Sequence, residues 1–307
     1  MEKARKMEHI RILFCVLMSV GMVLLAEGSG EKEILFPEIA ALVTGAWAAG
    51  KQPWKTNRFQ IVVLMTISAV AGVVLVRFVP VGRYGKVLLG YLFVGFCLSV
   101  AKSGLAPMIS ACILPVLMGT ESWVYPISVG VMAAIIAVGQ SLMEGAGLRD
   151  AAVYLPVERA ARDAALYWGK RAVVLAVLVA LPIFTGQIFF IAPPLIVLFT
   201  EFSEPVSPLR QVPVRIWLVT AGAAFAGSIA RMILCTGFGL PLTVAAIVGI
   251  LAVFAIFRVA GRMFPPAGAL ALLPLIIPES SLIFFGAEVA VGAGVLIVAA
   301  MGLFRKP

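Results

Sequence analysis

Twelve apolar stretches follow one another along the chain, at about 10–26, 34–50, 59–79, 87–101, 105–118, 126–143, 172–186, 188–200, 215–235, 239–257, 264–278 and 282–304. A soluble core has no use for so many. A lipid bilayer does, because each spanning helix needs roughly 20 apolar residues at about 1.5 Å of rise each. With 62% of its 307 residues hydrophobic and 13% charged, the chain has too little polar sequence for a soluble catalytic or DNA-binding module. The sequence predicts an all-α polytopic membrane protein. The stretches 105–118, 188–200 and 264–278 are too short for a full span and read as half-helices, and whether they and 34–50 cross or re-enter is left open.

The formal charge of +9 suggests nucleic acid in a soluble protein, but short cytoplasmic loops of a membrane protein carry the same excess. If each stretch crosses once from a cytoplasmic N-terminus, all but Lys32, Arg77, Arg83, Lys86 and Arg231 of the 24 Lys and Arg residues fall on the inner side. The bias predicts a multi-pass protein of the cell membrane with both termini cytoplasmic and no nucleic-acid partner. The basic head and apolar run at the start also have the size of a signal peptide, with Ala26 or Gly28 as cleavage points. An internal repeat requires that run as a helix instead.

The chain repeats itself. LFPEIAAL aligns with IAPPLIVL, pairing Pro37 with Pro193 at an offset of 156, and Ala71-Gly72 aligns with Ala226-Gly227 at 155. Pro107 answers Pro266 and Pro115 answers Pro274, both at an offset of 159. Each half holds six apolar stretches, with a proline-led one at positions two and five. Six is even, so the halves share an orientation and form parallel repeats. The expected division is a first membrane repeat over 1–146, a cytoplasmic connector over 147–171 and a second membrane repeat over 172–307. From Pro156 the connector reads as an amphipathic surface helix that directs Arg159, Arg162, Lys170 and Arg171 toward anionic headgroups.

Proline suits the first helical position and discourages helix in the residue before it. Pro37, Pro107, Pro193 with Pro194, and Pro265 with Pro266 therefore mark helix starts. In hydrocarbon the free N–H groups of such a start must be buried in protein or line a wet path, and their partial positive charge suits an anion. Ser103, Gly104, Ser110, Phe264, Ala267 and Gly268 stand beside the same starts. Together with Glu38 and Glu288, two costly intramembrane carboxyls, they form the candidate solute site. Close helix packing is the alternative role for these prolines and small residues. Lys102 and Arg231 are expected to snorkel to an interface, and Glu144 and Glu201 to be interfacial.

The predicted function is a transporter or channel-like carrier for a small solute, in particular a small anion, with a non-catalytic membrane subunit or assembly factor as the alternative. An enzyme on lipid-linked substrates would need clustered acids or histidines. The chain has one His, His9, and two Asp, Asp150 and Asp163, both in the connector. Cysteines 15, 97, 112 and 235 sit in apolar runs without metal-ligand spacing, so no catalytic residue, cofactor or metal site is expected. The sequence leaves a homodimer open.

SPLRQVP at 207–213 and FPPAGALALLP at 264–274 resemble, in order and about 50 residues apart, the SPLAQP and HPPAGATAL stretches of the HPP family of integral membrane proteins. The resemblance covers about 190–280, with the first half as a diverged copy. It implies a helical membrane fold and, for some members, transport of a small inorganic anion such as nitrite. The matching residues are Ser207, Pro208, Leu209, Gln211 and Pro213, then Pro265, Pro266, Ala267, Gly268 and Ala269. Phe264 stands where that family has its histidine. The chain resembles fusaric-acid-resistance-like exporters more weakly.

Overall fold

The computed structural model describes residues 2–305, with side chains from Arg5 onward. Met1, Lys306 and Pro307, and the side chains of Glu2, Lys3 and Ala4, lie outside the described residues, and with them two cations of the inward charge pattern, Lys3 and Lys306. Among the described residues the chain is helical, with no strand. Eight helices are long and apolar enough to cross a membrane. These are α1 (Glu2–Ser29), α3 (Arg58–Phe78), α4 (Arg83–Val100), α6 (Val124–Gly145), α7 (Ala161–Thr185), α9 (Pro213–Ala230), α10 (Leu242–Ala260) and α12 (Glu279–Leu303). A π-helical segment, Arg231–Gly237, prolongs α9. The other four, α2 (Glu38–Val43), α5 (Pro107–Met118), α8 (Pro193–Phe202) and α11 (Pro265–Leu272), are short and proline-led. Each half thus reads long, short, long, long, short, long.

Local chemistry accounts for the boundaries. Asn57 caps α3, accepting from the Gln60 backbone N–H while the Gln60 side chain accepts from the Asn57 N–H, which satisfies two of the free donors of a helix start. Phe264 is extended ahead of Pro265, the conformation that the ring of a following proline favours. Gly119, Gly186 and Gly261 close α5, α7 and α10 with positive φ, a conformation that costs glycine little.

The short helices form the centre. Every residue of α2 and α11 is buried, as is all of α5 except its last. α8 is buried apart from Glu201. Around them the long helices turn large apolar side chains outward, among them Leu13, Leu17, Phe96, Val177, Leu181, Phe184, Ile283 and Val298. An apolar outer wall around a fully buried centre is the surface of a molecule solvated by lipid.

Contacts fix the course of the chain. Arg58, at the start of α3, bonds Ser141 and pairs with Glu144 near the end of α6. Trp168 of α7 donates to Ser99 at the end of α4, and Arg210 donates to the Ala300 and Met301 carbonyls at the end of α12. These ends define one face, which is rich in Lys and Arg. On the opposite face Glu27, near the end of α1, accepts from the Leu242 and Thr243 N–H groups at the start of α10. The short helices also pass between the faces. Glu33, before α2, lies beside Thr120, whereas Lys55, after it, accepts from the Gly104 N–H just ahead of α5. A 12-residue helix rises only about 18 Å of the roughly 30 Å hydrocarbon thickness, and turns and extended chain complete each passage.

The halves interlock. α1 packs on α10 and α4 on α7, while α2 packs on α11 and α5 on α8. A β-carbon on Gly72 of α3 would lie 2.4 Å from the Cys112 carbonyl oxygen of α5, and one on Gly90 of α4 would lie 3.1 Å from the Cys112 sulfur. In the second half, Gly227 of α9 and Gly249 of α10 stand the same way against Ala271 of α11, at 2.2 and 3.5 Å. Hydrophobic collapse offers little between helices in lipid, and such close backbone approach is what holds membrane helices together.

Two expectations need correction. The connector is not a separate amphipathic helix. Residues 150–160 are non-helical, and the expected strut is the first part of α7, which runs unbroken from Ala161 into the bundle. Nor does Arg171 face headgroups. It is 3% exposed, its Nε donates to Ser203 Oγ at 2.7 Å, and its Nη2 and Nη1 donate to the Ser203 and Tyr167 carbonyls. A guanidinium that can satisfy carbonyls between two helices gains more there than at the surface.

Candidate functional site

The proline-led ends lie in the buried centre, and three of them come together. Glu38 opens α2 directly after Pro37, and its Oε1 accepts a 2.6 Å hydrogen bond from Ser110 in the first turn of α5. In α11 a β-carbon on Gly268 would lie 3.1 Å from the Ala40 backbone of α2. The first turns of α2, α5 and α11 therefore converge on one level of the core. α8, opened by Pro193 and Pro194, completes the group by packing on α5 and α11.

Glu38 is the chemically informative member. It is 1% exposed, no cation pairs with it among the described residues, and its Oε2 has no hydrogen-bond partner. On the neighbouring helix α1, the Cys15 thiol meets the Val43 carbonyl and Met22 sulfur accepts from the Phe36 N–H. Ser19 lies midway between those two contacts, at the level of Glu38 to Ala40. It is fully buried, and its hydroxyl also lacks a partner. Tyr125 of α6 packs edge-on against Phe36 and donates to the Ala111 carbonyl. One wall of this level is thus polar in an otherwise apolar centre.

The remaining candidates are placed differently. Pro107, Phe264, Pro265, Pro266 and Ala267 are buried at the starts of α5 and α11. Ser103 and Gly104 sit nearer the basic face against Lys55, with Ser103 Oγ accepting from the Leu105 N–H. Glu288 is half-buried on α12, which packs on α8, α9 and the 188–191 turn, so it does not join Glu38. Arg231, half-buried at the end of α9, donates to the Pro274 and Ile277 carbonyls of the connection between α11 and α12. Glu144 is 10% exposed at its side chain, held by Arg58, Gln140 and the Ala152 N–H. Lys102 does reach solvent, in a pair with Glu158 that raises its pKa by hydrogen bond and charge.

Sequence reasoning missed Ser19, a lone serine in an apolar run. Its signal emerges only when α1 and α2 are set side by side. Two hollows open on the basic face. One, of about 650 Å³, lies between α1 and α10 and is lined by Arg5, His9, Phe254, Arg258 and Arg262. The other, of about 480 Å³, is lined by Ser207, Arg210, Gln211 and Arg305. Neither is lined by a proline-led helix end. Among the described residues no three His, Cys, Asp or Glu side chains cluster to hold a metal. Fold and site together define a multi-pass α-helical membrane protein with a core of broken helices. Set against protein-family models, curated proteins and solved structures, the chain finds no match.

Proposed function

We propose that this protein is a carrier for a small solute, with a small anion as the leading candidate, whose path runs through the level where the first turns of α2, α5 and α11 meet. One observation carries the reading. Four half-length, proline-opened helices fill the centre of a lipid-solvated bundle and bring Glu38 and Ser110 together there. Interrupted helices at membrane depth are costly and recur where a solute or ion passes.

The positive-inside tendency supports a cytoplasmic orientation for the basic face. The HPP-like stretches support the same class: SPLRQVP lies at the start of α9 and FPPAGA opens α11. The test is flux. Purified protein in liposomes should move at least one of nitrite, nitrate, chloride and sulfate above protein-free controls. Background flux for all four would count against an inorganic-anion carrier.

A further inference from the structure

We infer that Glu38 is a reversible proton-binding site, with Oε2 as the atom that takes the proton. This rests on the carrier reading for its use but not for its existence. Ser110 donates to Oε1, and the hydroxyl has one proton to give, so Oε2 receives nothing from it. An ionised carboxylate buried with one donor and no countercharge is poorly solvated. A proton on Oε2 removes the charge and supplies the donor that the second oxygen can use. Ser19 Oγ, also buried and unpartnered, is a further polar atom on the α1 side of the core, outside hydrogen-bond reach of Oε2.

The surroundings allow no other way to balance the charge. From α1 the neighbouring polar or titratable groups are Ser19 and Cys15. From the turn before α2 the group is Glu33, and from α5 they are Ser110 and Cys112. From α6 it is Tyr125, whose hydroxyl is already committed to Ala111, and α11 contributes no titratable residue. None is a cation. A neutral Glu38 leaves the partial positive ends of α5 and α11 free for an anion, while an ionised one opposes it. Proton and anion then bind together, and Glu38 must release its proton for the cycle to reset.

Infrared difference spectroscopy of the purified protein in liposomes tests this without knowledge of the solute. Wild type is expected to show a protonated-carboxyl stretch whose intensity changes with pH. The band should be absent from Glu38→Gln, shifted in Ser110→Ala and retained in Glu288→Gln. Glu38→Asp, which keeps the carboxyl if Gln disturbs folding, should restore a titrating band. Identical spectra for wild type and Glu38→Gln across the pH range, with both proteins folded, would overturn the proposal. A parallel measurement with a pH dye trapped inside liposomes, using nitrite, nitrate, chloride and sulfate as probes, separates the two readings. A titrating Glu38 band with background flux for all four anions upholds the proton site and counts against the carrier.

Discussion

Replacing Gly227 by alanine asks how much the fold depends on helices touching backbone to backbone. The new β-carbon would lie 2.2 Å from the Ala271 carbonyl oxygen and 2.8 Å from its carbon and Cα. Ordinary contact begins near 3.4 Å, so α9 and α11 would have to part by about 1.2 Å. α11 cannot retreat, because α2, α8 and α10 enclose its other sides. α9 cannot retreat freely either, because Trp217 on it donates to the Ala290 carbonyl of α12. Overpacking against fixed backbone costs about 3 kcal/mol, and alanine recovers up to about 1 kcal/mol of helix propensity. The expected net loss is about 2 kcal/mol. Reversible unfolding in mixed micelles, followed by tryptophan fluorescence, measures it. Gly21→Ala on α1, where nothing lies within 4 Å of the new carbon, is the control and should be neutral or slightly stabilising. A Gly227→Ala protein as stable as Gly21→Ala would refute the reasoning.

The same geometry sets other outcomes. Arg171→Met should destabilise by about 2 kcal/mol, because it strips donors from the buried Ser203 and Tyr167 carbonyls, and Arg171→Lys should not rescue it, since one ammonium cannot reproduce the fork; equal melting temperatures would contradict this. Gly268→Leu should impair folding rather than only block a path, since its β-carbon already meets the Ala40 backbone; a monodisperse, normally melting variant would show that α2 can yield. Burial pushes the Glu33 carboxyl above its usual 4.5, so the folded state binds that proton more readily than the unfolded chain. Its contribution therefore favours folding as pH falls toward 4.5 and is lost as pH rises. Glu33→Gln should flatten that part of a melting-temperature profile, and an unchanged profile would assign it elsewhere.

The twelve apolar helices, their order and the four short proline-led starts were legible in the sequence, because apolar length and proline geometry are local properties that no tertiary contact is needed to express. The matched glycines Gly72 and Gly227 were visible as a repeat, though not what they touch. What the linear order could not hold was position across the bundle. It could not show that the four short helices are the centre, that Glu38 meets a serine 72 residues away, or that Ser19 shares its level. It misplaced Arg171 as facing headgroups, because a cation beside an apolar run looks the same whether it snorkels or turns inward. Only packing against Ser203 decides the matter. Burial in lipid is set by composition, but which polar atoms are left without partners depends on which helices become neighbours, and only the tertiary structure determines that.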